Sequence, residues 1–364
     1  MALPPKTSLP IAAALATAAL LLAGCGSGST HQATAPATSG GTVPATPGST
    51  GTGTGTSTST GSSRSTTGAT GVDYLPQAET PQYGDFPKTQ GRTLQQLADL
   101  AKSEVSLGPA TGVFVPGVER FAFALTTKAG GFVYAPTAIY IGSGAGGQAR
   151  GPYLAPADPM TVEPQYRSKQ NTGPGGIKAI YGSELPLPKP GTYGVLALTQ
   201  TPSGLIGSDT QIAVAPSSQI PNVGQRPPDI ATDTPATVHG DESELTTRIP
   251  PEKMASVSFD KVLGRKPIVL LISTPQLCIS RVCGPVTDVT VQLQHEFGDK
   301  AVFLHQEVYV KNNPKLGLRP QLKAFHLETE PWLFTIDRHG VIRGRLEGAF
   351  GLGEARQAIE AALR

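Results

Sequence analysis

The chain has 364 residues, a net charge of +2 and only 15% charged side chains, with no Lys/Arg cluster interleaved with aromatics; nothing here argues for a nucleic-acid partner. Its 43 Gly and 34 Pro suit linkers and β-structure better than a helical bundle. Setting aside a leader and a low-complexity stretch leaves roughly 290 residues, enough for two domains.

At the N-terminus one cation, Lys6, precedes an apolar run from Ile11 to Leu22, too short for a stable membrane span but right for a signal-peptide core. The run ends in Leu22-Ala23-Gly24-Cys25, which resembles the bacterial lipobox. The resemblance implies that residues 1–24 are a lipoprotein signal peptide and that Cys25 is lipidated, palmitate included. The mature chain would then be anchored on the extracytoplasmic face of the bacterial cell membrane. Thiols tend to be oxidised in that compartment. With Cys25 acylated, Cys278 and Cys283 remain of the three cysteines, and an even pair most simply makes one disulfide.

Residues 25–75 form a Gly/Ser/Thr stalk, as in "GTGTGTSTSTGSSRSTTG". Such a segment cannot bury enough apolar surface to offset its ordering entropy and is expected to be disordered. As a flexible coil it reaches about 35–40 Å root-mean-square.

Residues 92–217 read as a helix followed by an all-β domain. In "RTLQQLADLAKSEV", Arg92 to Val105, the residues Leu94, Leu97, Leu100 and Ala101 share a helical face. From about Gly112 to Ala215 short strand-like runs follow, among them "RFAFALTT", where Phe121, Phe123 and Leu125 alternate with Ala122 and Ala124. Turn-bounded strands without helical periods between them point to an antiparallel sandwich. "LPLPKPGTYGVLAL" resembles the turn and late strand of many Ig-like domains, a likeness of fold that carries no function. "SGAGGQARG" near Gly142 does not join a strand to a helix, so phosphate binding is not expected there.

A Pro-rich linker, residues 218–245, precedes the last domain, residues 246–364. "SVSFDKVLGRKPIVLLIS" reads as a strand-like lead, a Gly turn and a continuous apolar strand from Ile268 to Ile272. Residues Pro285 to Phe297 place Val286, Val289, Leu293 and Phe297 at helical spacing, and Pro285 suits a first turn. A strand "AVFLHQEV", a short helix "LRPQLKAFH", a hairpin "PWLFTID" to "VIRGRLEG" and a helix "GEARQAIEAALR" complete the order βαβαββα.

Residues Ser256 to Arg364 resemble a thioredoxin-like domain of the TlpA-like and peroxiredoxin-like type. The likeness rests on "TPQLCISRVCGPV" between the first strand and helix, on "TEPWLFTID", and on the "DRHGVIRGRLEG" hairpin. It implies an α/β thioredoxin-like fold after an all-β Ig-like one, with Cys278 and Cys283 as an active-site pair. It also implies a cis-proline facing that pair, which by match is Pro331. Three features depart from the family: Leu277 stands where tryptophan usually precedes the first cysteine, the spacing is Cys-x4-Cys, and Glu330 precedes the proline. Two registers remain open. In one, Cys278 attacks and Cys283 resolves; in the other, Cys-Gly-Pro-Val aligns by letter, so that Cys283 attacks and Val286 replaces its partner.

On a continuous helix residues five apart point about 140° from each other, so pairing requires Ile279 to Val282 to form a loop. A helix N-terminus and Arg281 favour a thiolate, whereas Glu330 opposes one. Three readings follow. The first is a membrane-tethered thiol–disulfide oxidoreductase acting on protein thiols or disulfides, or with a redox partner, in which Cys278 attacks, Cys283 resolves and Pro331 shapes the groove; no cofactor is called for. The second is a noncatalytic binding module with a structural disulfide, whose small ring stabilises by less than the ~3 kcal/mol of a fifteen-residue loop. The third is Sco-like copper handling through Cys278, Cys283 and His326, with His305 as another candidate, since soft thiolates suit Cu(I). Trp332 is expected beside the active-site loop and His339 in a solvent-facing turn.

Overall fold

A computed structural model describes residues 72–171 and 176–364. The expected signal peptide, the expected lipidation site Cys25 and all but the end of the expected stalk lie outside the described residues. The chain is mixed α/β with mostly β-sheet, and β-branched and aromatic side chains set the strands. Strand β1 (Val72–Asp73) and the single turn α1 (Leu75–Ala78) lead into α2 (Leu94–Ala98), which a reciprocal capping box between Thr93 and Gln96 opens.

Helix α2 is shorter than the spacing of its leucines predicts. Leu94 and Leu97 are buried, but Leu100 is half exposed. Lys102 instead donates its backbone N–H to Leu205, so the chain leaves the helix to join a strand edge, and β2 (Val105–Pro109) begins inside the expected helix.

Strands β3 (Gly117–Thr127), β4 (Val133–Tyr134), β5 (Thr137–Gly142), β6 (Arg150–Leu154), β7 (Ala157–Pro159), β8 (Ala179–Leu187), β9 (Gly191–Thr201) and β10 (Gly204–Val214) follow. β1 pairs with β4, and the others form two antiparallel four-stranded sheets, ordered β10-β9-β5-β6 and β2-β3-β8-β7. The sheets share one apolar core. Phe121, Phe123 and Leu125 of β3 point into it, and Phe123 stacks on Tyr181 of β8 at 5.1 Å between centroids.

The alternate residues explain how the two halves of the chain meet. Ala122 of β3 and Ile180 of β8 face the other way, into a second core built with the C-terminal half. The two stretches that read as separate domains therefore share an apolar cluster. Small side chains on the outer face of β3 let the other half approach.

The Pro-rich stretch 218–245 has no strand, yet it is packed along the C-terminal half. Ile220 joins an apolar core there, Thr232 exchanges hydrogen bonds with Ser258 and Phe259, and Asp233 pairs with Arg319. The expected strand-like lead is instead a single helical turn, α3 (Phe259–Val262). Ser258 precedes it in extended conformation, as an N-terminal residue does, and Thr232 Oγ1 accepts the otherwise orphaned Phe259 N–H.

Strand β11 (Ile268–Ile272), helix α4 (Cys283–Phe297), β12 (Val302–Gln306), α5 (Pro320–Ala324), β13 (Trp332–Ile336), β14 (Ile342–Glu347) and α6 (Leu352–Leu363) complete the chain. The sheet order is β12-β11-β13-β14, with β11 parallel to β12 and antiparallel to β13. Alternate residues of β11 serve opposite faces. Val269 and Leu271 pack with α4 and α6, while Ile268, Leu270 and Ile272 pack with α3 and α5. A central strand covered on both sides reads as a continuous apolar run for that reason.

Candidate functional site: a cysteine pair at the start of helix α4

Beyond Ile272 the chain leaves the sheet through Ser273 and Thr274, both fully buried, and turns through Leu277 and Cys278, whose N–H groups return to the Thr274 carbonyl. Residues Ile279 to Val282 form a loop, not helix. The reversal is tight: the Arg281 N–H donates to the Cys278 carbonyl, and Arg281 itself has φ of 60°, in the left-handed region that few non-glycine residues enter. Cys283 is the first residue of α4. Cys278 thus lies before the helix and Cys283 at its edge, an arrangement that both registers accommodate.

Both cysteines carry free thiols in the structure, which describes the dithiol form of the pair. Their environments differ. Cys278 is 8% exposed and Cys283 is fully buried. A hydrogen bond from the Cys283 thiol is the main influence that brings Cys278 down to about 6, against burial, which opposes it. The Ser280 side chain, 3.1 Å away, and the backbone N–H groups of Cys283 and Ser280 add to the lowering. Burial pushes Cys283 well above the ordinary thiol value, and its donated hydrogen bond and the charge of Cys278 push the same way. One sulfur is thus biased to thiolate and its neighbour to thiol.

Glu330 faces the pair. Its carboxyl is half-buried and is raised first by burial and then by the charge of Cys278. The bond from Glu330 to Pro331 is cis, and Pro331 is buried at the head of β13, its carbonyl accepting from Gly348. Tyr309 lies in the same electrostatic neighbourhood, raised by burial and then by Glu330, Cys278 and Cys283.

A buried polar relay lies beneath the pair. Glu252 Oε1 meets His305 Nδ1 at 2.7 Å, His305 Nε2 meets Ser273 Oγ at 2.9 Å, and Ser273 Oγ meets Thr287 Oγ1 at 2.9 Å. Thr287 then donates to the Cys283 carbonyl at 2.7 Å. Burial disfavours the imidazolium of His305, but the Glu252 carboxylate outweighs it and the net shift is upward. Burial likewise opposes ionisation of Glu252, and His305 overturns that, leaving the carboxyl lowered. In the imidazolium form both ring nitrogens donate, so each link can run in one direction from His305 to the first turn of α4. Thr274 Oγ1 and Glu307 Oε2, buried at the same strand ends, have no hydrogen-bond partner among the described residues.

The other side of α4 is held by the first half of the chain. Asp288, fully buried, accepts from Ser168 N (2.9 Å), Ser168 Oγ (3.1 Å), Asn171 Nδ2 (3.1 Å) and Arg248 Nε (2.9 Å). Next to Cys283, a Cβ added at Gly284 would lie 2.8 Å from Gln170 Cβ. Only glycine leaves room for so close an approach.

The structure therefore brings together Cys278, Cys283 and the Glu330–Pro331 segment, and it does not bring His326 to them. His326 is exposed at the end of α5, His305 is engaged by Glu252 and Ser273, and no cluster among the described residues could hold a metal ion. The copper set Cys278, Cys283 and His326 is not assembled. Trp332 is fully buried in the core on the α3/α5 face, its N–H bound to the Thr329 carbonyl, and His339 is exposed in the turn before β14. Glu252, Thr287 and Asp288 were not singled out from sequence. A usable signal existed: "LISTP" and "FLHQE" end apolar strands in polar residues, and open α/β sheets place their sites at carboxyl strand ends. No protein-family model matches the chain, and no curated protein matches it.

Proposed function

We propose that this chain is a thiol–disulfide oxidoreductase of thioredoxin-like design, preceded by an Ig-like domain and tethered by a lipid on Cys25 to the outer face of a bacterial cell membrane. The lipobox-like Leu22–Cys25 motif supports the tether. The β12-β11-β13-β14 order, helices on both sheet faces and the cysteine pair between first strand and helix support the fold assignment.

The observation that carries the reading is the asymmetry of the pair: a sulfur on a residue 8% exposed, biased to thiolate, against one on a fully buried residue, biased to thiol. Exchange needs that division of labour, because the thiolate is the attacking species. The Cys278 thiolate attacks one sulfur of a substrate disulfide. That S–S bond breaks, a Cys278–substrate bond forms, and the other substrate sulfur leaves as thiolate and takes up a proton. Cys283 then gives its proton to the neighbouring Glu330 carboxylate and attacks Cys278 Sγ, expelling the second substrate thiolate. The protein ends oxidised by two electrons as a Cys278–Cys283 disulfide, and an external dithiol reverses it. Run backwards, the same steps oxidise a substrate dithiol.

The test is exchange with an oxidised peptide under a dithiothreitol supply. Cys278→Ser is expected to abolish turnover, and Cys283→Ser to accumulate a mixed disulfide at Cys278 that mass spectrometry detects. Undiminished exchange by Cys278→Ser would overturn the assignment.

A further inference from the structure

We infer that the first half of the chain supplies one wall of the substrate site, and that the site takes an extended, apolar and uncharged polypeptide segment next to the reacting cysteine. This rests on the proposed exchange chemistry and names its substrate class. A cleft of about 780 Å³ opens beside the dithiol loop. That volume falls within the range of about 300–1,000 Å³ typical of ligand sites. One wall comes from the double-sheet half, with Ala110, Phe132, Ile177 and Ile180; the other carries Arg281 and Glu330. The junction is close-packed at its ends, where Gly284 meets Gln170 and where Gly348, at φ of 70°, lies against the Ala110 carbonyl. The cleft is thus a built feature of the junction.

Three observations identify the occupant. The cleft is lined by Ser280 to Val282 but not by Cys278 itself, so a ligand that fills it and reacts must extend past its edge to the sulfur. A polypeptide does so when the residues flanking its cysteine lie in the cleft. Apolar side chains and glycines share the lining with the uncharged polar groups of Thr111, Gln170, Asn171, Ser280 and Thr329, and its charged groups are Arg281 and two carboxylates, Glu330 and Glu347, whose protonation burial already favours. A further negative charge there is disfavoured, so acidic segments and anionic low-molecular-weight thiols fit poorly. Ile279, the chain neighbour of Cys278, is 97% exposed and adds apolar surface on the same loop.

The experiment compares three disulfide probes on the whole chain: a cysteine decapeptide with Val and Ala flanks, the same peptide with Asp flanks, and hydroxyethyl disulfide. Binding of the Val/Ala peptide with serine for cysteine is measured separately by calorimetry. The Val/Ala disulfide is expected to react at least about tenfold faster per molar than the Asp one, and Ile177→Ser to remove about tenfold of that advantage, as loss of one apolar anchor does. The fold of Ile177→Ser is certified independently of turnover, by an unchanged far-ultraviolet circular dichroism spectrum and a cooperative urea transition; Phe132→Ser is the second variant. Equal rates for both peptides, unmoved by either variant, would overturn the cleft assignment while leaving the exchange chemistry standing. Binding of the serine peptide by wild type, lost in Ile177→Ser, supports the cleft even where no exchange is seen. In that event the redox reading alone falls.

Discussion

The core between the two antiparallel sheets and the region at the carboxyl ends of β11 and β12 are equally dry, yet they handle polar groups differently. In the double-sheet core the buried polar atoms bind backbone groups or pair two by two. Thr137 and Thr199 share a hydroxyl contact at 2.9 Å while Thr137 also donates to the Ala135 carbonyl, and the Tyr181 hydroxyl lies between Ala135 and Val133. At the strand ends under Cys283, by contrast, Ser273, Thr287, Asp288, His305 and Glu252 form contacts with one another and with distant segments. Each unpaired buried polar group costs about 1–3 kcal/mol. A fold that gathers many of them in one place is serving chemistry or precise positioning, and here they encircle the helix start that bears the cysteine pair.

The largest expected break in that comparison is at Asp288. Asp288→Ala strands Arg248, itself 4% exposed on its side chain, without its carboxylate, and breaking a buried ion pair on one side costs about 3–5 kcal/mol. Urea unfolding of Asp288→Ala should show that loss at unchanged slope. Asp288→Asn keeps part of the acceptor set and should lose less. A loss no larger than that of Thr199→Val in the double-sheet core would erase the distinction between the regions.

A matched pair sharpens it further. Thr199→Val and Thr287→Val make the same change in two buried sites. Thr137 retains the Ala135 carbonyl after the first change, so about 1 kcal/mol or less should go. The second leaves Ser273 short of a partner and the Cys283 carbonyl without its side-chain donor, so about 1–3 kcal/mol should go. Only Thr287→Val should also alter the alkylation rate of Cys278. Equal losses, with alkylation unchanged, would reduce the relay to ordinary packing.

What sequence reasoning could see divides along the same line. The pair, Pro331, the apolar β11 run and the hairpin are local patterns, each legible within a dozen residues. The alternation of Phe121, Phe123 and Leu125 is equally local, and it announces one face of β3. The other face, with Ala122, gives no sign that it buries against the C-terminal half. Asp288 finds its partners 40 and 120 residues away, at Arg248 and Ser168, and His305 finds Glu252 53 residues away. No periodicity carries such pairings. His305 therefore looked like a metal candidate, and the cleft had no sequence signature because each wall is unremarkable alone. The helix after Arg92 was misread in length because strand pairing at Lys102 prevailed over leucine spacing.

The smallest expected effect concerns the asymmetry of the two sulfurs. Alkylation of the reduced chain by iodoacetamide should rise with pH through about 6, the value at which Cys278 becomes a thiolate, while Cys283 stays silent far above it. Because Cys278 is lowered on folding from a usual thiol value of about 8.5, its thiolate stabilises the reduced fold. That stability is fully present above about 8.5 and is lost as pH falls through about 6. Cys283, raised on folding, contributes oppositely: its share is present below the usual thiol value and fades above it. Glu330 sets a small correction to both. Its charge raises Cys283 and is itself disfavoured by Cys278, so Glu330→Gln should move the Cys278 midpoint down by a few tenths of a pH unit, as expected for one partly solvated neighbour. On the proposed exchange chemistry the same variant should also slow the resolving step, because it removes the carboxylate assigned to take the Cys283 proton. A midpoint that moves upward instead would mean that Glu330 supports the thiolate through a hydrogen bond in its protonated form. The division between the two sulfurs would then rest on Glu330 as well as on the loop.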